Sequence, residues 1–240
     1  MGIIFLDIET IPQPDGYESF LQAELDDFKA PSSLTKTQAC ADLGMTDAKE
    51  IKFTSKDSAI AQWEDKFKEE KAPEVADEKY RKTSFDGGKG NICSIAWGDQ
   101  DNTWSVSLDT CEDEVIMINK FLNALPTRID PFFIGHNIRF DLKFLFKRCI
   151  INQINHKGIF KPYGRHDKDF YCTQESWAGF KEIMSQDNLC NILGIEGKPD
   201  DIDGSKVWDH FKDGQIARIE EYNRYDVDTV RQIYNRLNFI

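Results

Sequence analysis

The chain has 240 residues, 40% hydrophobic and 12% aromatic, enough for one substantial core or a core with a subsidiary lobe. Its formal net charge of −12, from 30 lysines and arginines against 42 aspartates and glutamates, argues against a uniformly basic nucleic-acid binder. No basic segment followed by an apolar one opens the sequence and no apolar run reaches the length of a membrane span, so a cytoplasmic protein with no membrane contact is expected.

Residues 2–8 are apolar without polar alternation, which predicts a central strand buried on both faces. Asp7 and Glu9 then share one side of its carboxyl end, because strand side chains repeat every two residues. From 11 to 82 the chain turns charged and helix-favouring, notably over 58–71, with breaks at Pro31, Gly44 and Pro73. This predicts a helical insertion after the first strand, within a single domain spanning 1–240. Strand patterns return at 91–97 and 103–108, paired through a turn at 98–102. A helix over 112–125 follows, with Asp109 or Thr110 as its cap and Pro126 beyond its end. The apolar run 131–134 leads through Gly135 into a helix carrying Asp141. A last strand is expected at 169–172, then helices ending in a long one over 213–237. The pattern is that of an α/β protein built on one mixed sheet flanked by helices.

The last helix carries an apolar stripe of Ile219, Tyr222, Asp226, Val230, Ile233 and Leu237 at spacings of three and four, with an acid in its middle. Tyr222 lies one turn before Asp226 on that face, so its hydroxyl can reach the space before the carboxylate. Asp141 lies between Ile138 and Leu145 on a helix crowded with Phe140, Leu142, Phe144 and Phe146. Each acid taken alone has an ordinary reading, as the polar end of a strand, an acid in an early helical turn, or a cap on a neighbouring element. Together, four carboxylates on buried elements require something cationic to receive them. An all-oxygen donor set suits magnesium or manganese rather than zinc, and two such ions roughly 3.5–4 Å apart clamp a phosphodiester. Between Arg139 and Lys168 the basic residues Arg139, Lys143, Lys147, Arg148, Lys157, Lys161, Arg165 and Lys168 face only Asp141 and Asp167, an excess that reads as a phosphate-tracking surface or as a solvated helix face. The six cysteines include no Cys-x-x-Cys pair and fit buried free thiols better than a zinc or disulfide framework.

These motifs resemble the DEDD superfamily of 3′–5′ exonucleases, whose fold is ribonuclease H-like. Asp7-x-Glu9 resembles the first motif, Asn137-x-x-Phe140-Asp141 the second and Tyr222-x-x-x-Asp226 the third. The histidine branch places a His five residues before the last aspartate; Glu221 stands there, and Tyr222 matches the tyrosine branch. The stretches 90–98 and 189–226, with Leu193-Gly194-Ile195 and Asp203-Gly204-Ser205, are similar to stand-alone exonucleases related to the family-B polymerase proofreading domain.

The resemblance implies two divalent ions, magnesium or manganese. Asp7 would bridge both, Glu9 and Asp226 would complete the site of the ion that activates the nucleophile, and Asp141 would hold the other mainly through water. Tyr222 would orient the attacking water, while Thr10, His136, Asn137 and Phe140 would contact or support the substrate. Phe160, Tyr163 and Tyr171 are candidates for base stacking, with ordinary burial as the alternative. The implied activity is removal of nucleoside 5′-monophosphates from the free 3′ end of single-stranded DNA, with RNA as the alternative substrate and a replication or repair protein as a partner. Two other readings compete. An aspartyl-nucleophile phosphatase of the haloacid-dehalogenase type would use Asp7 with Lys198 and Asp200-Asp201, but Glu9 fits it poorly and Tyr222 and Asp226 are left without a role. A silent nucleic-acid-binding or interaction module would have no physical reason to keep four mutually repelling acids.

Overall fold

The computed structural model describes residues 2–126, 130–162, 169–179, 182–196 and 202–240. Strand β1, Gly2–Pro12, extends four residues past the expected end. The charged segment then forms α1 (Tyr17–Asp26), α2 (Lys36–Asp42), α3 (Ala48–Phe53) and α4 (Lys56–Arg81). After it come β2 (Gly90–Gly98), β3 (Thr103–Ser107), α5 (Glu114–Ala124), β4 (Pro131–Gly135), α6 (Ile138–Ile151), β5 (Phe170–Cys172) and helices α7 (Thr173–Ala178), α8 (Gln186–Leu193), α9 (Val207–Lys212) and α10 (Ile216–Asn238). None of the described helices is long and apolar enough to cross a membrane. All six cysteines are free and buried.

The chain divides into two compact units, one of residues 1–13 and 83–240, the other Pro14–Lys82. The smaller unit packs Phe28, Ala39, Cys40, Ala59, Trp63 and Ala72 into its own core. Pro73 was expected to break its helix, yet α4 runs through it. A proline inside a helix costs about 3 kcal/mol or more. Burial of Trp63, Ala72, Ala76 and Tyr80 along the same helix offsets that cost.

In the larger unit the sheet order is β3-β2-β1-β4-β5. Strand β1 pairs antiparallel with β2 and parallel with β4, and β5 joins β4 in parallel, which gives the expected mixed α/β sheet. The two faces of β1 alternate. Ile4, Leu6 and Ile8 enter a core with Met117, Ile118 and Phe121 of α5 and Leu142 and Leu145 of α6. Phe5 packs with Val227 and Val230 of α10 on the opposite face. The register with β2 slips between Glu9, opposite Ser94, and Thr10, opposite Ile92, so Cys93 is the extra residue of a bulge. That slip changes the parity of β2, and Ile92 and Ile95 therefore share one core.

Two helix starts differ from expectation. Helix α5 is capped by Asp113, whose side chain accepts from the Ile116 amide, while the Thr110 hydroxyl turns back to the Ser107 carbonyl. The long final helix begins at Ile216, because Gly214 takes a left-handed backbone (φ +71°) that separates it from α9.

Helices α5 and α6 are joined by a buried ion pair. Glu114 accepts from the Arg148 Nη2 at 2.6 Å and Nε at 2.9 Å, from the Ile92 amide at 2.7 Å and from Asn152 Nδ2 at 2.8 Å. Helices α5 and α6 and strand β2 are thus tied to one carboxylate. Arg148→Met leaves that charge buried without its main partner and should cost about 3–5 kcal/mol in urea unfolding, whereas a loss below about 1 kcal/mol would show that the pair does not hold these helices.

Candidate active site

The central strand supplies two acids to the α10 side of the sheet. Side chains alternate along β1, so Asp7 and Glu9 follow Phe5 on that face. Helix α10 turns Ile219, Tyr222, Asp226, Val230 and Ile233 inward, and Asn223, Val227 and Thr229 are buried as well. This brings one carboxylate oxygen of Asp7, Glu9 and Asp226 within 4.8 Å of one another, and no other such group of His, Cys, Asp or Glu occurs among the described residues. Glu9 and Asp226 are buried and Asp7 is half-buried.

Asp141 approaches from the other flank. Gly135 ends β4 where an added Cβ would lie 2.8 Å from the Leu6 carbonyl and 2.6 Å from the Ile138 side chain, so the turn into α6 has room only for glycine. Asn137 then adopts a left-handed backbone (φ 59°), which asparagine tolerates better than most residues, and α6 starts at the next residue. In its first turn the Asp141 Oδ1 accepts from the Ile8 amide at 3.1 Å. Asp141 is outside the tight triplet of the other acids. All four line one cavity of about 360 Å³, together with Thr10, His136, Asn137, Phe140, Ser84, Phe85, Gly204 and Ser205.

The side groups of the cavity are held in place. The Thr10 hydroxyl donates to the Ser84 carbonyl at 2.8 Å. Both ring nitrogens of His136 are engaged, Nε2 with the Met184 carbonyl at 2.6 Å and Nδ1 with the Thr173 hydroxyl at 2.9 Å. His136 is therefore a support on the cavity wall. Phe140 faces the cavity and also packs on Phe144, with ring centroids 5.6 Å apart. Tyr222 is not part of the cavity lining; its ring packs with Ile11, Cys93, Val207 and Ile219. Burial and the charges of Asp226, Glu9 and Asp7 push its phenol far above the ordinary tyrosine range, so it remains a neutral hydroxyl.

Two residues that the motifs do not single out touch the acids. Asn223 Nδ2 donates to Asp7 Oδ2 at 2.6 Å, and Gln186 Nε2 donates to Asp226 Oδ1 at 3.0 Å. Asn223 stands three residues before Asp226, a spacing that places it near the same helix face. Gln186 is on α8, and no sequence spacing connects it to Asp226.

Of the described cations in the basic stretch, Lys143 and Lys157 are exposed and four others are engaged by acids. Among its described residues Arg139 pairs with Glu175, Lys147 with Asp86, Arg148 with Glu114 and Lys161 with Asp169, all acids outside the stretch. Phe160, a base-stacking candidate, is instead buried against Phe133, with centroids 5.9 Å apart, and Tyr171 sets its ring edge-on to Tyr234 at 5.0 Å. Tyr163, Arg165, Lys168, Lys198, Asp200 and Asp201 lie outside the described residues.

The donor set of the triplet is all oxygen, dense in negative charge and rigidly mounted, which fits a hard divalent cation. A mixed sheet of this order with an acidic site at the end of its central strand defines a ribonuclease H-like protein. Within that class, residues 90–240 match the family described as predicted 3′–5′ exonuclease related to the exonuclease domain of PolB, and the chain belongs to this family. No curated protein matches it. The matched residues include Asp141, Tyr222 and Asp226, whereas Asp7 and Glu9 precede them and join them through β1.

Burial, reinforced by the Asp226 charge and opposed by the Ile8 amide, pushes the Asp141 carboxyl up to about 8 in the metal-free protein. An unfolded aspartate titrates near ~3.9, so the stability Asp141 contributes is complete below that value and is lost as the pH rises through about 8. In EDTA, Asp141→Asn protein should gain in melting temperature over the unaltered protein as the pH is raised from about 5 to about 9. A gap independent of pH would exclude Asp141 as the titrating group.

Proposed function

We propose that this protein is a metal-dependent 3′–5′ exonuclease that removes nucleoside 5′-monophosphates from the 3′ end of single-stranded DNA. The observation that carries the reading is the convergence of Asp7, Glu9 and Asp226 in a chain of a 3′–5′ exonuclease family. Asp7, Glu9 and Asp226 would hold one ion, and Asp7 with Asp141 would serve a second. Two bound ions, magnesium or manganese, would supply Lewis-acid activation of water and charge stabilisation at the leaving oxygen.

The protein's own groups bind, orient and exclude. Water attacks phosphorus and gives up one proton to solvent as the P–O bond to the 3′ oxygen breaks; that oxygen takes a proton from solvent and becomes the new 3′-hydroxyl of the shortened strand. Tyr222 packs its ring beside the cavity, but its neutral hydroxyl is close enough to feel the charges of Asp226, Glu9 and Asp7; there it orients the attacking water and does not act as a nucleophile. Phe140 and Asn137 line the space for the terminal nucleotide, and His136 holds the wall behind it. The Pro14–Lys82 unit is an insertion within this exonuclease domain.

A strand labelled at its 5′ end should shorten stepwise with magnesium or manganese, a 3′ label should appear at once in a mononucleotide, and EDTA should stop both. RNA of the same sequence should be degraded more slowly, and the opposite order would assign the enzyme to RNA. Asp7→Ala and Asp226→Ala should each lower the rate by more than ~100-fold, since loss of a residue that merely supports a metal ligand already costs ~10–100-fold. Undiminished shortening in either would exclude this site. Tyr222→Phe should be roughly 100-fold slower with manganese affinity unchanged, as loss of a group that orients a proton-transferring water requires.

A further inference from the structure

We propose that Asn223, itself oriented by Ser94, is a positioning residue that presets the Asp7 carboxylate for a divalent ion, an inference that rests on the metal-site reading above. Asn223 and Ser94 are fully buried. Asn223 Nδ2 donates to Asp7 Oδ2 at 2.6 Å, and its Oδ1 accepts from the Ser94 hydroxyl at 2.9 Å. Ser94 is on β2, directly opposite Glu9 and beside the bulge. Three elements, α10, β2 and β1, are thereby chained through one amide.

The chain of bonds fixes which way the amide points. A primary amide has two donors on nitrogen and only an acceptor on oxygen. With the Ser94 hydroxyl donating to the oxygen, the NH₂ must face Asp7; the flipped amide would set its oxygen against a carboxylate oxygen. A buried amide is costly unless its polar atoms are used, and both ends of Asn223 are used here. An apolar side chain would fill the space between α10 and the sheet without that cost, so packing does not account for the residue.

Neutrality is the second part of the argument. Lysine or arginine could also grip Asp7, but its charge would cancel the negative potential that draws a cation to the triplet. An amide holds the carboxylate in one orientation and leaves its charge intact. Binding an ion then requires less ordering of the ligand, as for other residues that orient metal ligands from behind.

The test is manganese binding by the full chain without nucleic acid, followed by electron paramagnetic resonance of the free ion, in unaltered, Asn223→Leu and Ser94→Ala proteins whose circular dichroism is native. Asn223→Leu should weaken binding by ~10–100-fold, and Ser94→Ala by a smaller factor in the same direction. Strand shortening by both variants should recover as manganese is raised, so that the metal activation constant moves and the saturated rate does not; a general packing defect would not be rescued in this way. If Asn223→Leu does not fold, Ser94→Ala decides alone. Unchanged manganese affinity in the folded variants overturns the inference and leaves the proposed function standing. Manganese binding by an unaltered protein that shortens no strand overturns the function and leaves the inference, and an unaltered protein that binds no manganese overturns both.

Discussion

Mutual repulsion among Asp7, Glu9 and Asp226 is the constraint around which the larger unit is arranged. Three like charges within 4.8 Å, two of them buried, would separate if their backbones could move. They are held because β1 is the middle strand of five, paired on both edges and packed on both faces. Burial of Leu6, Ile8 and Phe5 contributes roughly 1.5–3 kcal/mol for each side chain. The strand end is therefore a mount stiff enough to carry acids that resist proximity.

The same unit contains a second answer to the problem of a buried carboxylate. Glu114 receives a guanidinium, a backbone amide and a side-chain amide, and its charge is neutralised inside the protein. Asp141, Asp7 and Asp226 receive the Ile8 amide, Asn223 and Gln186, donors that orient without neutralising. The first arrangement ties helices together. The second preserves a negative field that a cation can complete.

Much of this was readable from spacing alone. The apolar run at the start of the chain, the alternation that puts Asp7 and Glu9 on one side, and the helical stripe through Tyr222 and Asp226 each follow from local periodicity. Contacts between distant segments were not readable, and the basic stretch is the clearest instance. Counted along the chain it is an excess of cations, yet Arg148 points into the core to meet Glu114, and Arg139, Lys147 and Lys161 find acids elsewhere. Pro73 is similar, since its intrinsic penalty is outweighed by the packing of α4 in the smaller unit.

The sequence by itself determined the identities of the acids, the elements that carry them and the class of sheet they sit on, because strand and helix periods are properties of neighbouring residues. The tertiary structure alone decided that Asp7, Glu9 and Asp226 form a tight triplet with Asp141 on its flank, that the β2 bulge falls beside Glu9, and that Ser94, Asn223 and Gln186 stand behind the carboxylates. Those facts depend on strand register and on how α8 and α10 pack against the sheet. Both are set by the fit of whole surfaces, to which residues far apart in the chain contribute equally.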